Sequence, residues 1–298
     1  MLWKLPNIVI APERLFDLFG NPDLPVSNTL LATWISIIFL VVLFFFGTRR
    51  RDMIPSGLQN FLEYLLDFLL GQVEGVAGKE KGRKFFPLVA TFFIFILACN
   101  MLDVIPGVDT IGTIHAVDHA VHPVFGIFLL GDDSNQLIPW LRPATTDLNL
   151  TIAMAVVSVV TTQIFGFQAL GAGEQLSKYF NFKSVAKNGA MGLIDLVVGL
   201  LEIISELGRI ISFSFRLFGN IFAGSVLLAV FAFLLPGLAT IIFIPFEIFV
   251  GVIQAYVFSF LTLLFMTVGT TSHSHDDSEH DAHEAYAENR AADAVVAH

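Results

Sequence analysis

The sequence predicts an all-α, multi-pass membrane protein: five transmembrane helices, one interfacial amphipathic helix, and a last pair of long, inclined helices that form a hairpin. Composition is the first observation behind this. Of 298 residues 55% are hydrophobic and 14% charged, against about 25% charge in an ordinary soluble domain. The second is where charge is missing. A charge near the bilayer centre costs at least about 2.5 kcal/mol, and five long uncharged intervals separate Asp23 from Arg49, Lys84 from Asp103, Asp147 from Glu174, Arg216 from Glu247, and Glu247 from Asp276. Most exceed the roughly 20 residues that a spanning helix needs. The third is mean hydropathy, at +0.75. These features argue against a water-soluble enzyme. The net charge of -10 argues against a nucleic-acid partner, since phosphate binding needs clustered positive charge. Cys99 is the one cysteine, so there is no disulfide framework and no Cys-based metal site.

Taken in order, residues 1–27 read as an external N-terminal segment. Its early mix of acids and bases does not look like a cleaved signal peptide. The first crossing starts near Asn28. Next comes MIPSGLQNFLEYLLDFLLGQVEGVAG, flanked by basic clusters at both ends, which requires an even number of crossings. Zero is the simplest. Gln59, Glu63, Asp67 and Glu74 project on one helical face with Leu and Phe around the rest, which fits a helix lying at the interface or packed on its neighbours. The second and third crossings follow, with turns expected at Pro106-Gly107 after the second, at Pro143 before the third, and at Pro236-Gly237 between the last two apolar runs. Residues 191–234, as one helix, would be about 66 Å long, and 238–268 about 46 Å. Both exceed the roughly 30 Å hydrocarbon layer and must incline or bend. From residue 271 the chain turns into an acidic, histidine-containing stretch with seven acids, five histidines and one arginine, expected to be a disordered tail.

Orientation follows from the basic residues. Ten of the sixteen Lys and Arg fall at Arg49–Arg51, at Lys79, Lys81, Arg83 and Lys84, and at Lys178, Lys183 and Lys187. Those loops are expected in the cytoplasm, with the N-terminus outside and the C-terminus inside.

Within the fourth run Asp195, Glu202, Glu206, Arg209, Arg216 and Asn220 project within about 40° of one direction at 100° per residue. Such a stripe must face water, partner protein or both. Glu206 is three residues from Arg209 and is its natural partner. Arg216 lies ten residues from Glu206, about 15 Å along the axis, too far to pair with it. An arginine stays protonated and cannot relay protons. It can hold a fixed charge in low dielectric that drives an arriving carboxylate to ionise, which is the property of a barrier between two access paths. The last helix adds Glu247, Gly251 and Gln254 on one face. The third crossing adds Asp147, Thr151, Ser158 and Thr161, although hydroxyls in such helices more often bond their own backbone or a neighbouring helix.

His115, His119 and His122 share a helical face but lack a placed fourth ligand, so an interfacial loop helix is preferred to a zinc site. No metal, cofactor or catalytic motif is expected.

The segments SFRLFGNIFAG and IQAYVFSFLTLL, with FFPLVATFFIFILACNMLDVIPG and PATTDLNLTIAMA, resemble subunit a of the bacterial F-type ATP synthase. The resemblance covers roughly residues 28–270, the expected membrane channel domain, and leaves 271–298 as tail. It implies a non-catalytic stator in the bacterial plasma membrane. The implied partners are a rotating c-ring with membrane carboxylates, the peripheral-stalk b subunits and the rest of the synthase. It also implies two offset half-channels for ions, with protons the expected ion. Arg216 matches the family's stator arginine, and Asn220 and Gln254 match polar positions near it. Glu202 matches an acidic position of the cytoplasmic half-channel, which Asp195 would extend, and Asp147 and Asn149 match polar positions near the external opening. One departure concerns the ionisable pair that many members carry on the last two helices: here the positions read Ser225 and Glu247, so Glu247 alone is expected to be the outer relay. The competing reading of the same stripe is a self-contained ion-coupled secondary transporter.

Overall fold

The computed structural model describes residues 12–17, 25–49, 57–105, 112–114, 137–171, 173, 190–234 and 238–271. Two short antiparallel strands, β1 (Arg14–Asp17) and β2 (Pro25–Ser27), precede helix α1 (Asn28–Thr48). The helix starts where the sequence places the first crossing, because Ser27 is extended and its hydroxyl accepts the Leu30 N–H, satisfying one of the orphan donors of the first turn. α1 is built inside out. Its buried residues are Asn28, Thr29, Ala32, Ser36 and Gly47, while Ile38, Val41, Phe45 and Phe46 are about 60% exposed. In lipid the apolar side chains need no burial, so small and polar residues take the packed face.

Helix α2 (Leu58–Asp103) has two arms that meet at Gly78, whose φ of 76° and ψ of 163° lie outside the helical region in conformations that only glycine adopts readily. The chain reverses there. Arg83 Nε sits 2.9 Å from Glu74 Oε1, whereas in an unbroken helix nine residues would separate them by about 13.5 Å along the axis. Gly82 permits the return: a Cβ there would lie 3.2 Å from the Val73 carbonyl oxygen and 3.1 Å from Glu74 Cα. The first arm is the expected amphipathic helix. It buries Leu62, Leu69 and Val73 and leaves Phe61, Tyr64 and Phe68 outside, with Gln59 donating to Glu63 at 2.8 Å on the polar face. The second arm buries Phe85, Val89, Phe92, Phe93, Ile96, Cys99 and Asn100.

A second strand pair, β3 (Gly112–Ile114) with β4 (Leu137–Pro139), leads to a 3-10 turn at Ala144–Thr146 and helix α3 (Leu148–Leu170). The turn expected at Pro143 is there, since Pro143 precedes the 3-10 turn. The turns expected at Pro106-Gly107 and Pro236-Gly237, the basic residues Lys178, Lys183 and Lys187, the three loop histidines and the tail lie outside the described residues.

Helices α4 (Ala190–Leu234) and α5 (Leu238–Gly269) are the two long ones, and they run antiparallel. Phe213 meets Phe258, Asn220 meets Gln254, Gly224 faces Glu247, and Phe231 meets Phe243, so position rises on one helix as it falls on the other. Phe258 also stacks edge-on against Phe92, with centroids 5.3 Å apart, which joins α2, α4 and α5 in one aromatic core. Among the described residues five helices are long and apolar enough to cross a membrane. The chain forms two compact units, one of Met1–Val160 with Ile204–Leu264, the other of Thr161–Ile203 with Phe265–His298. In the second, Gly269 lies against Thr162, with 3.4 Å from a would-be Cβ to its Cγ2.

Candidate functional site

The buried face of α4 is set by Phe213, Ser214, Leu217 and Ile221, none more than 4% exposed. That three-and-four spacing turns one stripe of the helix inward, so Arg216 falls outside it and is exposed. One turn to either side of it on the helix stand Ser212 and Asn220, both exposed, and Ile211 and Phe215 are 58% and 55% exposed farther around the outer surface. A guanidinium on the outer surface of a spanning helix calls for a partner, and among the described residues no carboxylate lies within ion-pair distance of it.

The stripe therefore divides. Arg209 Nη1 reaches both carboxylate oxygens of Glu206 at 3.1 Å, one helical turn away and only 16% and 14% exposed. The pair expected from spacing forms. Phe213, in the same arc, packs inward and separates that pair from Arg216. Glu202 is exposed on α4 in the second unit. Asp195 belongs to α4, with its side chain outside the description.

Facing α4, the next helix brings two more of the expected residues together. Gln254 is 2% exposed; its Oε1 accepts from Asn220 Nδ2 at 2.6 Å, and its Nε2 has no protein partner among the described residues. Glu247, half-buried, lies two turns away with its Oε1 3.4 Å from where a Gly224 Cβ would be. Asn220, Gly224, Glu247 and Gln254 line an open cleft of about 510 Å³ between α4 and α5, together with Leu227, Phe243 and Phe246. The cleft thus combines a buried amide with an unsatisfied donor and a half-buried carboxylate in a mostly apolar lining, and is large enough for water.

Asp147 and Asn149 form a separate arrangement. Asp147 Oδ1 accepts the Asn149 N–H at 2.9 Å, capping α3, while Oδ2 accepts from Thr29 Oγ1 on α1 at 2.9 Å. Among the other third-crossing hydroxyls, Ser158 meets Thr262 at 2.8 Å and Thr151 meets Ser214 at 3.2 Å, both pairs buried. They hold helices together, the commoner use anticipated for them.

Sequence reasoning did not single out Asn100. It is 2% exposed, donates to the Gly251 carbonyl at 3.1 Å and accepts from Thr145 Oγ1 at 3.1 Å. Gly251 admits it, since a Cβ there would come within 3.1 Å of Asn100 Cβ. α5 is thereby fastened to α2 between Glu247 and Gln254. The available signal was an amide inside an apolar run.

The ATP synthase A chain family model matches residues 30–267. The chain belongs to the ATP synthase A chain family. Among curated members, ATP synthase subunit a of Moorella thermoacetica is 32% identical over 85% of this chain and 95% of its own length. The subunit a of Citrifermentans bemidjiense is 31% identical over 84% and 90%, and that of Ehrlichia canis is 27% identical over 91% and 95%. As an ATP synthase A chain with five apolar helices, it is a multi-pass membrane protein and a subunit of the ATP synthase complex.

Proposed function

We propose that this stator subunit carries two offset half-channels that load and unload protons on the carboxylates of a rotating c-ring. It thereby couples the ion gradient to ATP synthesis without itself catalysing the chemistry. The observation that carries the reading is Arg216, exposed on the outer surface of a long apolar helix and separated from the Glu206–Arg209 pair. A ring carboxylate brought beside it loses its proton, because the fixed positive charge favours the ionised form in low dielectric. After moving on it faces apolar surroundings, where the neutral form is favoured and a proton is regained.

The outer path runs through the α4–α5 cleft, with Glu247 as the proton-relaying carboxylate and Asn220 and Gln254 as its polar lining. Asp147 and Asn149 stand near its external opening. Glu202 and Asp195 serve the cytoplasmic path. Arg216, unable to give up a proton, stops the two paths from short-circuiting. The driving force is about 2.3 kcal/mol per charge per 100 mV. In this reading the N-terminus is external, the C-terminus cytoplasmic, the channel domain spans 28–270, and the b subunits of the stalk pack on the same subunit.

Arg216→Ala in the assembled synthase tests this. ATP-driven acidification of inverted vesicles is expected to disappear while the complex still assembles. Normal pumping by that variant overturns the assignment.

A further inference from the structure

Ser214 uses its hydroxyl differently from most others in these helices. Ser225 and Ser259 donate to the carbonyl four residues back, at 3.0 and 2.8 Å, the usual resting place of a helical serine. No such bond is made by Ser214. Its hydroxyl points across to Thr151 on α3 at 3.2 Å, and both residues are 0% exposed. Thr151 Oγ1 also lies 3.0 Å from the Leu148 carbonyl, and both bonds are made together when Thr151 donates to that carbonyl and Ser214 donates to Thr151.

Ser214 stands two residues before Arg216, about 200° away around the helix. We propose that the Thr151–Ser214 hydrogen bond fixes the rotation of α4, so that both are positioning residues for the ion-translocating Arg216. Apolar packing alone discriminates poorly between rotations. The inner face carries Phe213, Leu217 and Ile221 and the outer face Ile211 and Phe215. Lipid is as apolar as a neighbouring helix, so exchanging one such face for the other changes little hydrophobic energy. A rotation of one residue would swing Arg216 by about 100° and strip Ser214 of its partner. The directional polar bond opposes that turn.

The inference rests on the assignment of Arg216 above, and its test keeps the two apart. Ser214→Ala, Thr151→Val, Thr151→Ser, the Ser214→Ala/Thr151→Val double variant and Arg216→Ala are compared in the whole synthase in inverted vesicles. The readouts are proton pumping per ATP hydrolysed and the amount of assembled complex. Ser214→Ala and Thr151→Val are each expected to lower pumping per ATP about fivefold, the scale of one lost hydrogen bond, with complex amounts unchanged. Thr151→Ser is expected to pump normally, and the double variant no worse than either single. Normal pumping by both single variants, multiplying losses in the double, or a loss that only tracks the amount of complex overturns the positioning role. If those results come with an inert Arg216→Ala, the positioning role falls alone; a normal Arg216→Ala fells the arginine assignment beneath it.

Discussion

At the scale of single residues, Glu247 is where the two-helix site departs from an ionisable pair. Position 225 on α4 is a serine, and its hydrogen goes to the Ile221 carbonyl at 3.0 Å, so it can offer a neighbour only an acceptor oxygen. The carboxylate beside Gly224 is the acid among the residues lining the cleft, and the proposed function gives it the proton. Glu247→Gln keeps the shape and removes the titratable proton; pumping in inverted vesicles is expected to fall by about a hundredfold, the lower end of what a positioned acid or base contributes. An unchanged rate would remove Glu247 from the path. Arg209 is the contrasting case: spacing alone pairs it with Glu206, and the pair forms because residues three apart on a helix are neighbours. Arg216 was legible in the same way, as a charge without a partner within reach. Asn100 was not, since its meaning depends on Gly251 and Thr145, 151 and 45 residues away in the chain.

Among the elements, the α2 hairpin shows most clearly where sequence reasoning stops. Basic clusters at either end of residues 53–78 require an even number of crossings, and the apolar pattern supports an amphipathic helix there. Neither says that the helix folds back on the next crossing. That depends on Gly78 at φ 76° and on Gly82 having no Cβ against the Val73–Glu74 backbone. Gly82→Val is expected to destabilise this contact by about 1–3 kcal/mol. The measurement is the thermal midpoint of the solubilised complex, with Gly71→Val, at a site where a Cβ meets nothing within 4 Å, as the control. Equal midpoints for the two variants would mean that the close approach contributes nothing. The Arg83–Glu74 bridge adds little, because Arg83 is 72% exposed and exposed pairs contribute about 0–1 kcal/mol.

For the whole molecule, the family match stops at residue 267, and the acidic stretch beyond 271 shares neither its composition nor its apolar pattern. Deletion of residues 273–298 is expected to leave pumping per ATP hydrolysed close to that of the intact chain, since the stretch lies beyond the family match and holds none of the residues assigned to the ion paths. Loss of coupling would give the tail a part in the mechanism.

The number of membrane helices, the start of α1 near Asn28, the Arg209–Glu206 pair and the isolation of Arg216 were determined by the sequence alone. Each follows from composition or from spacing along one helix, and bilayer thickness and 3.6-residue periodicity act on these locally. Only the tertiary structure decided which faces meet: Gln254 against Asn220, Glu247 against Gly224, Asn100 on the Gly251 carbonyl, and Ser214 across from Thr151. In a membrane, hydrophobicity selects which segments are helices but is nearly indifferent to how they turn toward one another. That choice falls to small residues and a few directional hydrogen bonds between positions far apart in the chain.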